Sequence, residues 1–118
     1  MYSPQLLDHF EHPRNAGELS DATASARIEN PACGDVLELA VRIVDDRIED
    51  IRFRAKGCVP AMACASAIAE MANGKSILEA RTIARDDVVR AVGGLPPASG
   101  HAAQLAVDTL REALKSWK

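Results

Sequence analysis

The sequence has few of the residues that would define several common classes of protein. It contains two Phe, one Tyr and one Trp among 118 residues, so a large aromatic core is excluded. The formal net charge of -3 provides no basic surface for nucleic acid. No apolar run is long enough to cross a membrane. We therefore expect neither nucleic acid nor a membrane as a partner.

The cysteine content is also low and does not suit a disulfide framework. There are three cysteines, an odd number, and the first residues are typical of an amphipathic helix rather than a signal peptide. Reduced thiols and a cytoplasmic location are the interpretation that fits both features. A chain of this length is expected to form a single domain over residues 1–118.

Three segments have the composition of β-strands. Residues 35–44 alternate between apolar and polar side chains, and residues 47–56 do so in their second half. Residues 24–29 predict a further short strand. The two longer segments predict an antiparallel hairpin with one solvated face. Its inward-facing side chains would be Leu37, Leu39, Val41, Ile43, Ile51, Phe53 and Ala55.

The hairpin contains two irregular points. Asp45-Asp46 separates the strands and predicts a tight turn. Ile48 is out of phase with Ile51, which predicts a β-bulge near Glu49-Asp50.

The other apolar periods predict helices with recognisable ends. Ser and Pro favour helix starts, and Asn-Gly or a residue before Pro favours helix ends. The first predicted helix begins at Ser3-Pro4 and has an apolar stripe of Leu6, Leu7 and Phe10, and the second is a buried helix over Pro60–Asn73. Two short helices follow, one capped by Ser76 and running through Ala80, the other opened by Asp86-Asp87 and running through Val92. The last helix is capped by Ser99 and has a stripe of Ala103, Val107, Leu110, Leu114 and Trp117.

Two short loops carry the residues that suggest chemistry. The first contains Cys33 and, two residues later, Asp35; the second contains Cys58 directly after a glycine. Cys58 also precedes a predicted helix, where free amides and the helix dipole favour a thiolate. Two thiols and a carboxylate on such loops are the ligands that a thiophilic metal or an iron–sulfur unit requires.

Several neighbouring residues have a plainer interpretation. Asp35 is equally suited to be a ligand and to satisfy loop amides in an Asx-turn. From the residues alone, His101 is an exposed histidine at a helix start. Cys64 follows Cys58 by six positions, which turns it away from the helix start, so we expect it in the core. His9 and His12 are expected to be surface groups.

The ordered set of motifs resembles one known family. The chain resembles the IscU/NifU N-terminal family of iron–sulfur cluster assembly scaffolds over nearly its whole length. The motifs that carry the resemblance are Leu7-Asp-His-Phe-Glu-His-Pro-Arg-Asn-Ala-Gly17, Pro31-Ala-Cys-Gly-Asp35, Ile48-Glu-Asp-Ile-Arg-Phe53, Lys56-Gly-Cys58, Gly74-Lys-Ser76 and Leu95-Pro-Pro97.

The resemblance implies a fold, a cargo and partners. The fold would be α+β, a three-stranded antiparallel sheet with helices packed on one side. The protein would be a scaffold or carrier rather than an enzyme. It would take sulfur as persulfide from a cysteine desulfurase and pass a [2Fe–2S] cluster to acceptor proteins. The implied ligands are Cys33, Asp35, Cys58 and His101, and the segment Leu95, Pro96, Pro97 is implied to recruit an Hsp70-type chaperone.

The sequence departs from the family pattern at two points, which leave alternatives open. Ala102 stands where the family has its third cysteine, and Ala98-Ser99 replaces the usual hydrophobic residue and lysine. One alternative is a mononuclear Zn²⁺ site on the same four residues, with a sulfurtransferase-like role in persulfide transfer. The other is a relative that has lost cluster assembly.

Overall fold

We describe residues 2–30 and 34–115 of a computed structural model. The chain forms three strands and five helices over these ranges. Their bounds are α1 (Pro4–Glu11), β1 (Ala24–Asn30), β2 (Asp35–Val44), β3 (Arg47–Lys56), α2 (Val59–Ala72), α3 (Ile77–Arg81), α4 (Arg85–Ala91) and α5 (Gly100–Leu114), with a single 3₁₀ turn at Pro97–Ser99.

The strands form one antiparallel sheet in the order β1-β2-β3. Asn30 pairs with Asp35 at one end, and Val44 pairs with Arg47 at the other. The predicted tight turn is confirmed: Asp45 and Asp46 have φ angles of 52° and 60°, as a two-residue hairpin turn requires.

The predicted bulge is also confirmed. Arg42 pairs with Asp50, whereas the next residue, Ile43, pairs with Ile48, so Glu49 is an extra residue on β3. The bulge allows Ile48 and Ile51 to face the core together, and both are fully buried. The sequence could reveal this feature because strict alternation would have exposed one of the two isoleucines.

The helices cover one face of the sheet, as the resemblance implied. Helix α5 packs against β1 and β2, helix α2 packs against β3, and α1 packs against α2. Helix α2 is buried on most sides, since its alanines and Ile68 lie in the core. The opposite face of the sheet, called the outer face below, carries Arg27, Glu38 and Arg54 in one cross-strand row.

Two details of the predicted helices are wrong. Leu7 is 40% exposed, so the buried side of α1 is formed by Leu6 and His9, with Phe10 partly buried beside them. Ser99 precedes α5, but within the described chain its side chain makes no capping hydrogen bond. Ser3 and Ser76 do cap their helices, accepting hydrogen bonds from Leu6 N and Glu79 N. Trp117 lies outside the described residues.

His9 is buried, which contradicts the expectation of a surface group. Its Nδ1 lies 2.8 Å from Ser66 Oγ on α2, and Ser66 Oγ also accepts a hydrogen bond from Arg14 N at 2.8 Å. Burial lowers the pKa of His9, and the positive charge of Arg14 lowers it further. The spacing could not show this contact because the partner is 57 positions away. His12 is exposed, as expected.

No helix in residues 2–30 or 34–115 combines the length and apolar character needed to span a bilayer.

Candidate metal centre

The ends of three elements meet at one end of the sheet. Asp35 is the first residue of β2, Cys58 is the N-cap of α2, and His101 lies in the first turn of α5. One ligand atom from each residue lies within 4.8 Å of the other two. A carboxylate oxygen, a thiol sulfur and an imidazole nitrogen therefore face a common space.

Asp35 is the centre of this group. Its side chain is buried, with 3% exposed, and it accepts a hydrogen bond from Cys58 N at 3.1 Å. Its second oxygen, Oδ2, lies 3.4 Å from Cys58 Sγ and 3.3 Å from His101 Nε2. The carboxylate thus contacts both the second loop and α5, and these contacts fix its orientation.

Cys58 occupies the position where α2 begins. The backbone changes there from extended to helical, and Pro60 suits the first turn because it lacks an N–H. Cys58 is exposed, whereas Asp35 beneath it is buried. The thiol therefore lies on the solvent-exposed side of the site, where another molecule can reach it.

His101 lies at a helix start, as the residues alone indicated, but it is only partly exposed. Its side chain is 36% exposed, and its Nε2 lies against Asp35 Oδ2. The two residues are 66 positions apart, so no local pattern could reveal their contact. The resemblance to a family was the only signal that placed His101 among the ligands.

Of the other two cysteines, only Cys64 lies within the described residues. Cys33, an expected ligand, lies outside the described residues. Cys64 is fully buried in the core, as predicted. Burial, and secondarily the nearby Cys58, raises the pKa of the Cys64 thiol to about 12. Cys64 therefore stays a protonated thiol and does not qualify as a ligand.

The two departures from the family pattern lie close to His101. Ala102 is fully buried in α5 and offers no ligand atom. Ala98 and Ser99 lie in the 3₁₀ turn before α5. In the Leu95-Pro96-Pro97 segment that leads into this turn, Leu95 and Pro96 are partly buried and Pro97 is exposed.

Comparison with known proteins identifies the family. The family description "NifU-like N terminal domain" matches residues 1–118. The chain belongs to this family.

Named relatives cover most of the chain. The chain is 46% identical over 117 residues to "Iron-sulfur cluster assembly scaffold protein IscU 1" of Archaeoglobus fulgidus, covering 99% of this chain and 76% of that protein. It is 37% identical over 121 residues to "Iron-sulfur cluster assembly scaffold protein IscU" of Escherichia coli, covering 99% and 94%.

Solved structures confirm the fold class. A crystal structure from Fervidobacterium islandicum AW-1 superposes with a TM-score of 0.83 at 22% identity, covering 96% of both chains. The N-terminal part of a NifU-like protein from Brucella abortus gives a TM-score of 0.77 at 18% identity, covering 96% of this chain and 91% of that one. The predicted α+β class, with helices on one side of a three-stranded sheet, is therefore correct.

Proposed function

We propose that this protein is a scaffold for iron–sulfur cluster assembly, which holds a [2Fe–2S] cluster as cargo and passes it to acceptor proteins. The observation that carries the proposal is the meeting of Asp35, Cys58 and His101 within 4.8 Å at one end of the fold. With Cys33, which precedes Asp35 by two residues in the chain, they supply four ligands.

The chemistry of the three described ligands suits a cargo that must leave. The Cys58 thiolate is a soft ligand that binds iron strongly, whereas a carboxylate oxygen is a harder and weaker ligand for the same metal. Loading requires Cys58 to lose its proton, because the thiolate is the ligand form. The exposed position of Cys58 gives both the incoming sulfur and the acceptor access to the site.

The proposal includes partners but no catalysis of a reaction on a free substrate. A cysteine desulfurase supplies sulfur as persulfide, and apo-proteins receive the cluster. Contact of an Hsp70-type chaperone with Leu95, Pro96 and Pro97 remains a prediction, as do the cytoplasmic location and the single domain over residues 1–118.

A single zinc ion is the second candidate for the site. The observation in its favour is that thiolate, imidazole and carboxylate atoms close together are the set that Zn²⁺ accepts in a tetrahedral arrangement. In that case Cys33 or Cys58 would leave the metal to accept persulfide sulfur. The two candidates differ in whether acid-labile sulfide accompanies the metal.

The test is a metal and sulfide analysis of the full chain purified without oxygen, before and after reconstitution with iron and sulfide. The scaffold proposal predicts iron and sulfide in equal amounts. Cys58→Ser should lose most of both, because it replaces a soft ligand by a hydroxyl. Cys64→Ala is the matched control and should load like the wild type, since Cys64 is a buried thiol outside the site.

The possible results separate the candidates. Zinc without sulfide would favour the mononuclear site. Equal loading of wild type and Cys58→Ser would contradict both. No metal after reconstitution of a folded wild-type chain would favour a relative that has lost cluster assembly.

A further inference from the structure

The free edge of the sheet near the metal centre has a gap, which is a stretch of the edge strand that no described residue covers. β3 is an edge strand, and other parts of the chain cover its edge at two places. Ile48 N donates to Lys75 O, and Gly74 N donates to Ile48 O. Further along, Phe53 N donates to Asn15 O at 2.9 Å, and Gly17 N donates to Phe53 O at 3.0 Å.

The next edge-facing residue, Ala55, is not covered by any residue in ranges 2–30 and 34–115. Backbone groups of a strand alternate between its two sides, so the N–H and C=O of Ala55 face the same edge as those of Phe53. The chain leaves this edge at Gly17, whose φ of 130° is favourable only for glycine. No residue in the described ranges hydrogen-bonds to these two groups of Ala55. They are available to an added strand.

A cavity of about 370 Å³ opens beside Ala55 on the helix side of the sheet. Its apolar lining is suited to a large hydrophobic side chain. The lining residues that matter here are Phe10, Pro13, Ala16, Phe53 and Met62.

A positive charge lies on the outer face next to the same gap. Lys56 follows Ala55, is exposed and has no ion pair among the residues that the structure describes. Arg54, two residues before Lys56 on the same face, already forms an ion pair with Glu18 at 2.6 Å. An acidic side chain on an added strand would complement Lys56.

We propose that the edge at Ala55 receives an extended segment of the partner protein that exchanges sulfur with this site. The segment pairs with Ala55, puts an apolar side chain into the cavity, an acidic one opposite Lys56 and a cysteine beside Cys58. It runs parallel to β3, as residues 15–17 do at Phe53. This inference rests on the proposed function.

The spacing follows from strand geometry. Side chains alternate between faces, and each residue advances about 3.3 Å. Cys58 follows Ala55 by three residues, or roughly 10 Å of extended chain. In a segment with the order apolar, acidic, cysteine, the cysteine follows the apolar residue by two positions and so lies opposite Gly57, about 3.3 Å short of Cys58 along the strand. With strands about 4.8 Å apart, the Cα atoms of the two cysteines are then roughly 6 Å from each other, a separation that a disulfide spans. Main-chain hydrogen bonds supply affinity and the pocket supplies specificity.

The test measures thiol–disulfide exchange with the peptide Ser-Leu-Glu-Cys-Ser, whose cysteine is activated as a 2-pyridyl disulfide. The Cys58 thiolate attacks the peptide sulfur, a protein–peptide disulfide forms, and 2-thiopyridone leaves with the electron pair of the broken S–S bond. The full metal-free chain is used, and mass spectrometry of its fragments locates the adduct. The leucine peptide should modify Cys58 about tenfold or more faster than Ser-Ser-Glu-Cys-Ser, because docking raises the effective concentration.

Three variants show whether the preference arises at this edge. Ala16→Leu fills the cavity from an exposed position, and Ala55→Pro removes the edge-facing N–H without removing a hydrogen bond to β2. Both should reduce the preference for leucine to less than about twofold by removing most of the docking. Ala22→Leu is the matched control: Ala22 is an exposed alanine at the outer face, and the preference should remain.

A wild-type chain without a leucine preference would overturn the docking site, and so would a preference unchanged in both Ala16→Leu and Ala55→Pro. Iron and sulfide loading of the same samples keeps the two proposals separate. Loading without a leucine preference overturns only the docking site, whereas a preference without loading overturns only the scaffold function.

Discussion

A side chain on Gly57 would occupy the space that the Asp35 carboxylate fills. A Cβ built on Gly57 overlaps Asp35 Oδ1, the oxygen that accepts the hydrogen bond from Cys58 N at 3.1 Å. Gly57 also has a φ of 153°, which L side chains rarely adopt. Position 57 therefore requires glycine for two reasons: its φ angle disfavours other residues, and the buried Asp35 carboxylate leaves no room for a side chain.

Gly57→Ala should weaken metal binding strongly. The new methyl group pushes Asp35 away from Cys58 N, and a hydrogen bond to a charged group contributes about 1.5–3 kcal/mol. We expect the affinity for Zn²⁺, used as a spectroscopically silent test metal, to fall about tenfold to a hundredfold. Titration calorimetry measures the change.

Gly74→Ala is the control for Gly57→Ala. Gly74, which follows α2 and lies away from the site, also has a positive φ, 84°, but no described atom lies within 4 Å of an added Cβ. This variant should lose stability through backbone strain alone and change zinc affinity by less than about threefold. Similar losses of affinity in both variants would show that backbone strain, not the contact with Asp35, is responsible.

The stability of the fold should decrease as the medium becomes acidic, and His9 should contribute to the decrease. Because the folded pKa of His9 is lowered, the unfolded chain takes up a proton first, near its usual value of about 6.5. The stabilisation from His9 is complete above that pH and is lost as the pH falls through the lower folded pKa. Urea unfolding at pH 7.5 and 5.5 measures the decrease.

His9→Gln should make this pH dependence shallower, because it removes the titrating group from the contact with Ser66. His12→Gln, at an exposed position just after α1, should leave the pH dependence unchanged. If His9→Gln and the wild type lost the same free energy of unfolding between the two pH values, the assignment to His9 would be wrong.

Ser66→Ala should destabilise the fold by about 1–3 kcal/mol, since it leaves buried polar groups of α1 and the following turn without their partner. Ser66 Oγ is the atom that both His9 Nδ1 and Arg14 N contact. Ser20→Ala, at an exposed position, should change stability by less than about 0.5 kcal/mol. Equal effects of the two variants in chemical denaturation would contradict a stabilising role for this contact.

The local sequence predicted the strands and helices well because each of them depends on residues that are close together in the sequence. The alternation of β2, the Asp45-Asp46 turn and the capping of a helix by Ser76 all depend on residues within a few positions of one another. The bulge at Glu49 was also local, since two isoleucines three residues apart both require burial. Errors arose where distant parts of the chain decide burial, as at His9 and Leu7.

The site could be predicted only in part, for the same reason. The two Gly-containing loops indicated Cys33, Asp35 and Cys58 as a group. The structure brings Asp35 and Cys58 together, whereas Cys33 lies outside the described residues. His101 joins them through the packing of α5 on the sheet, which no local spacing encodes. The family resemblance supplied it, because the order of motifs preserves a spatial arrangement that their individual patterns do not.

The measurement that tests the central claim most directly is the transfer of a cluster from the reconstituted chain to an apo-ferredoxin. The reaction is followed by the visible circular dichroism of the ferredoxin, with an iron chelator present to remove free metal. The account predicts that the ferredoxin acquires its cluster from the wild type despite the chelator, and much less from Cys58→Ser. Maturation of the ferredoxin only when the chelator is omitted would contradict the account, because the iron would then have travelled free in solution.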